Sequence, residues 1–122
     1  MTDDLITLAQ DMIAMRKNPL KNNAARRYPV AAQQFAQAVA NCDDADTLRE
    51  LIRLDSGHVL PPPTKQQIYE KLLAADANRT PDVLRAYGMH LVMFGYTDAD
   101  GKLVHNTDEL TNTLYAEADA KS

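Results

Sequence analysis

A chain of 122 residues, 45% hydrophobic and 25% charged, can bury a core without disulfide or metal staples and has the composition of one globular domain. Its net charge of −4 and pI near 5.2 argue against a polyanion-binding domain as a whole. The single cysteine, Cys42, excludes an intramolecular disulfide and fits a reducing compartment. No run approaches the ~18 apolar residues of a membrane span, and the start MTDDLITLAQDMIAM has aspartates where a secretory signal has basic residues, so a cytoplasmic protein is expected.

Residues 3–17 place Leu5, Leu8, Met12 and Met15 at helical spacing, widened by Ile6, Ala9 and Ile13, with Asp3 and Asp4 at the positive end of the helix dipole. Asn18-Pro19 ends this helix, because a residue before proline is pushed out of the α region. A loop then runs to Tyr28. Pro29 suits the first position of a second helix reaching about Asn41, in which Ala32, Phe35, Ala36 and Val39 share a face. The acidic turn CDDAD leads to a third helix, about 45–56, with Leu48, Leu51 and Ile52 as its stripe, Thr47 and Glu50 at capping-box spacing and Gly57 as its stop.

His58-Val59-Leu60-Pro61-Pro62-Pro63 reads as an extended joint within a single domain spanning 1–122, with a boundary between two units of about 60 residues as the alternative. Thr64 and Gln67 repeat the capping-box spacing at the head of a fourth helix that carries Ile68, Tyr69, Leu72 and Leu73 inward and frays near Asn78. Next comes the most apolar run, TPDVLRAYGMHLVMFG at 80–95. Thr80 is placed to cap it, Pro81 fits its first position and Gly95 can close it. This is the expected central helix. Asp100-Gly101 between Tyr96 and Leu103-Val104 predicts a small β-hairpin or a loop at 96–105. Thr107 is placed to cap a last helix with Leu110, Leu114, Tyr115 and Ala118 inward, and the tail AEADAKS is expected to fray.

Leu84-x-x-Tyr87-Gly88-x-x-Leu91, with Gly95 four residues on and YEKLLAADAN at 69–78 before it, resembles a tetratricopeptide-repeat helical hairpin. The resemblance covers 69–95 and implies close packing of two helices at the glycine and a peptide-binding role. Downstream, Asp100-Gly101 and Val104-His105 stand where the second helix of such a repeat brings a small residue and an aromatic. A 34-residue shift sets Glu50, Arg53 and Leu54 opposite Leu84, Tyr87 and Gly88. The likeness is therefore to one hairpin and not to an array.

The same segment also reads as a winged helix-turn-helix, with 64–75 positioning, 81–94 recognising and 96–105 as the wing. Against DNA stand the six Lys/Arg and nine Asp/Glu from Thr64 to Ser122 and the scarcity of polar side chains on the central helix.

Chemistry of other kinds is sparse. The motif DADG at 98–101 is similar to a calcium loop, but its register puts Tyr96 at the first ligand position and Thr107 where a bidentate glutamate belongs. His58, His90, His105 and Cys42 lack the paired spacings of a zinc site. No phosphate loop or nucleophile elbow is present, so neither enzyme activity nor a cofactor is expected.

What remains is interaction. The expected fold is all-α, five or six short helices packed as antiparallel hairpins around the helix at about 80–95, with the small hairpin at 96–105. The expected function is an adaptor or regulatory module that binds a protein segment or self-associates, with DNA binding as the alternative and no membrane contact. Candidate binding residues are the basic cluster Arg16, Lys17, Lys21, Arg26 and Arg27, together with Tyr87 and His90. Tyr87, Met89, Met93 and Phe94 read as core, and if one side of the central helix is uncovered its methionines and tyrosine form a partner groove or dimer surface.

Overall fold

Six α-helices and a two-stranded antiparallel sheet make up the described part of the computed structural model, which covers residues 2–55 and 57–122 with side chains from Asp4 onward. The expected dipole role of Asp3 and the expected helical Ser56 lie outside the described residues. The all-α expectation with a small hairpin at 96–105 holds. The chain groups into two compact units, Met1–Ile68 and Tyr69–Ser122, which divide inside the fourth helix and not at the Pro-rich 58–63 segment.

In the first unit, α1 (Thr2–Lys17) buries Leu5, Ala9 and Met12 and packs against α2 (Ala24–Ala40) and α3 (Ala45–Leu54). Helix α2 starts five residues before the expected Pro29. Asn22 and Asn23 both adopt the left-handed conformation, φ 54° and 57°, which asparagine tolerates better than most residues, and the Ala25 amide donates to the Pro19 carbonyl at 3.0 Å. Pro29 thus lies inside the helix, where it leaves the Ala25 carbonyl without its usual donor. Tyr28 just before it is held from both sides, by the Arg16 guanidinium 5.2 Å from its ring centre and by its own hydroxyl donating to the Val59 carbonyl at 3.1 Å.

Capping of α3 falls to Asp44, not to Thr47. The Asp44 carboxylate accepts from both the amide and the hydroxyl of Thr47, while Glu50 pairs with Arg53. At the other end of α3 Asp55 organises the connector. Its Oδ1 accepts from the amides of Val59 at 2.7 Å and Leu60 at 3.2 Å, and its Oδ2 lies 2.8 Å from Lys65 Nζ, with side-chain exposures of 0% for Asp55 and 3% for Lys65. Helix α4 (Pro62–Leu73) begins within the prolines. This corrects the expectation that they are all non-helical: the first-turn amides have no partner inside a helix, so Pro62 and Pro63 forfeit nothing there, and the Pro61 carbonyl accepts from the Lys65 amide at 3.0 Å.

In the second unit, α5 (Pro81–Phe94) matches its expected limits. Thr80 Oγ1 accepts from the Val83 amide at 3.4 Å, and Gly95, φ 77°, closes the helix. Strands β1 (Tyr96–Thr97) and β2 (Leu103–Val104) pair Tyr96 with Val104 and Thr97 with Leu103. Asp98 holds their turn, its Oδ1 accepting from the amides of Asp100 at 3.0 Å and Lys102 at 2.9 Å, with Gly101 at φ 78°. Helix α6 (Asp108–Lys121) packs on α5 with Tyr115 over Gly88, where a Cβ would sit 2.9 Å from the ring.

Thr107, expected to cap α6 with its side chain, instead donates its hydroxyl to the Leu91 carbonyl at 3.3 Å. The tail does not fray before Lys121. Arg79 reaches both oxygens of Glu117, at 2.8 and 2.7 Å, and Lys121 Nζ donates to the Arg79 carbonyl at 2.8 Å, which ties the end of α6 to the start of α5.

Candidate functional site

Helix α5 has two apolar sides of different fate. Val83, Leu84, Tyr87, Gly88, His90 and Leu91 are buried. Tyr69, from the second-unit end of α4, stacks on Tyr87 with ring centres 5.0 Å apart and planes 13° apart, and His90 sits between Tyr69 at 5.5 Å and Phe94 at 5.1 Å. Burial pushes the Tyr87 hydroxyl far above its ordinary range, with the Glu70 carboxylate adding to the effect.

Tyr87 and His90, expected as binding residues, are therefore packed inside; their aromatic faces are consumed by neighbours. The uncovered side is instead Met89, Val92 and Met93, which are 48%, 63% and 49% exposed. Asp82 and Arg85, both exposed, precede them on the same face, since positions 82, 85, 89 and 92 follow one another at three or four residue steps.

That exposed strip has apolar company in the same unit. Leu103 lies beside Gly95 at the end of α5, and Leu103, Val104 and Leu110 are also exposed. A pocket of about 350 Å3 between the hairpin and α6 is lined by Tyr96, Val104, Thr107 and Leu110. The unit carries five Lys/Arg and nine Asp/Glu, a net of −4, so the apolar surface lies in an acidic setting.

The predicted basic residues do come together. Arg16 and Lys17 end α1, Lys21 lies in the 3₁₀ helix Lys21–Asn23, and Arg26 and Arg27 occupy the first turn of α2. All five are exposed, and they surround one end of the α1–α2 hairpin. Two are partly committed, Arg16 to the Tyr28 ring and Arg27 Nε to the Asn22 carbonyl at 2.9 Å. A shallow pocket of about 270 Å3 lies between Lys21, Arg27, Met15 and Asp11, and the aspartate makes it a mixed site and not a purely anion-binding one.

Among the described residues no three His, Cys, Asp or Glu side chains gather as a metal site requires, and no helix is long and apolar enough to cross a membrane. Comparison with protein-family models, curated proteins and solved structures finds no match to the chain.

Proposed function

We propose that this chain is a non-enzymatic protein-interaction module of the cytoplasm, an adaptor or regulator that binds an apolar helical segment of a partner along the outer side of α5. The observation that carries the reading is the exposure of Met89, Val92 and Met93 at helical spacing. Helix-in-groove recognition uses such i, i+3, i+4 anchors, and methionine side chains adapt to varied partners. The net of −4 on this unit calls for a partner helix with Lys or Arg flanking its apolar face. The local resemblance to a tetratricopeptide-repeat hairpin agrees with a peptide-binding role.

Two synthetic amphipathic peptides with the same apolar face, one flanked by lysines and one by glutamates, test this. The lysine-flanked peptide is expected to bind at micromolar affinity, and Met89→Gln/Val92→Gln/Met93→Gln to weaken it about tenfold or more. Equal binding of both peptides, or no effect of the triple substitution, refutes the reading.

The order of α4, α5 and the hairpin favours a second reading, a winged helix-turn-helix that binds DNA. Sub-micromolar binding to a DNA duplex that falls steeply between about 50 and 200 mM salt would put it first.

A further inference from the structure

Unit one is electrically neutral in sum and polarised in space. Its α1–α2 hairpin carries Arg16, Lys17, Lys21, Arg26 and Arg27 at the turn end, and Asp4, Asp43 and Asp44 at the open end. At the apex of the turn stands Leu20, 95% exposed, between Pro19 and Lys21. A leucine solvated to that degree contributes nothing to its own core. At the open end α1, α2 and the 41–44 turn border a half-open pocket of about 650 Å3, with Leu5, Leu8 and Ala38 as apolar lining and Asp4, Asp43 and Asp44 as acidic lining.

We infer that the Leu20 apex of one copy docks into the acid-rimmed pocket of a second copy. Leucine meets the apolar lining, and Lys17 and Lys21 meet the carboxylates. The chain cannot fill its own pocket this way, because apex and pocket stand at opposite ends of α1, about 20 Å apart at 1.5 Å per residue. The two surfaces differ, so the contact is heterologous: each copy offers an apex and a pocket, and assembly grows head to tail unless a ring closes. A polyanion is the weaker occupant for the apex, since phosphates offer nothing to Leu20, and Asp11 lines the neighbouring basic pocket. The contact is separate from the α5 surface, so either idea can fail without the other.

Sedimentation of the full chain at low salt provides the test. The mean mass is expected to rise between about 10 μM and 1 mM, as for a small, weak interface, and to return to the monomer value near 1 M salt, where charges are screened beyond about 3 Å. Leu20→Ser/Lys21→Ser removes the apex, and Asp4→Lys/Asp43→Lys spoils the pocket. All four positions are exposed, and Asp44 is spared because it caps α3. Each variant alone is expected to stay monomeric with an unchanged far-UV CD spectrum, while their mixture forms a dimer that grows no further. As an independent readout, alkylation of Cys42, which lines the pocket, slows with concentration in the wild type but not in Leu20→Ser/Lys21→Ser.

A wild type monomeric throughout the range overturns the inference, as does an apex variant that assembles like the wild type. A mixture that fails to pair overturns it too. A monomer that instead binds a DNA duplex through Lys17 and Lys21 would assign the apex to a polyanion.

Discussion

Lys65→Met is the substitution with the sharpest expected consequence. Lysine and methionine are similar in length, so packing changes little, but Asp55 is left as a buried carboxylate with only the amides of Val59 and Leu60 as partners. Breaking one side of a buried pair costs about 3–5 kcal/mol, because the remaining charge has no water to replace its partner. That is a large share of the 5–15 kcal/mol expected of a whole domain. With an m-value of about 2 kcal/mol per molar urea, the midpoint of the unfolding transition falls by about 2 M. Asp55→Asn/Lys65→Met removes both charges and keeps the acceptor oxygen for the connector, at the cost of about 1–3 kcal/mol for an unsatisfied amide group. The double variant is therefore expected to be more stable than Lys65→Met alone. A midpoint within about 0.5 M of wild type for Lys65→Met, or a double variant worse than the single, refutes the reasoning; both are read by CD at 222 nm in urea.

Gly95→Ala tests the joint between α5 and the hairpin. The backbone there, φ 77° and ψ −169°, belongs essentially to glycine, and a Cβ would lie 2.7 Å from the Val104 carbonyl oxygen. Strain and clash together are expected to cost about 2–4 kcal/mol, a fall of roughly 10 °C in Tm, whereas Gly101→Asn, with open space around it, should cost under about 1 kcal/mol. Acid titration tests the end of α6. The Arg79 guanidinium, then Lys121, hold the Glu117 carboxyl down to about 2 from its ordinary 4.5. Because the folded value is the lower one, this stabilisation is complete above pH 4.5 and drains away as pH falls toward 2. Thermal midpoints of Glu117→Gln measured from pH 5 to 2 should lack that part of the acid slope; curves parallel to wild type would contradict the assignment.

Legibility in the sequence followed the range of the interaction that decides each feature. Helix α5 was readable to the residue, because Thr80, Pro81 and Gly95 act on their own backbone within a turn. The start of α2 was not. It depends on two left-handed asparagines and on the Pro19 carbonyl accepting from Ala25, and neither leaves an apolar periodicity to detect. Lys65 would have been read as solvent-facing by composition alone. Its burial follows from Asp55, ten residues earlier, which spends one carboxylate oxygen on the connector and turns the other toward the helix that the connector delivers.

The basic cluster was legible as a charge run, since five cations without an intervening acid have few ways to be buried. The exposed side of α5 was harder, because nearly every position is apolar. One signal was present: Asp82 and Arg85 mark an outer side, and helical spacing extends it to Met89 and Val92.

Beyond Asp82 and Arg85, that outer side departs from the composition that solvation favours. Helix surfaces that meet only water carry charged or amide side chains, which cost nothing in helix propensity and keep the protein from associating. On α5 the polar imidazole of His90 is enclosed among the rings of Tyr69 and Phe94, while Met89, Val92 and Met93 stand outside. The buried stripe of α5 is Val83, Leu84, Tyr87 and Leu91, and Met89, Val92 and Met93 stand off it. Three apolar residues off the buried stripe, aligned on one helix with exposed Leu103 beside its end, are the surface that the proposed helix-binding role would cover.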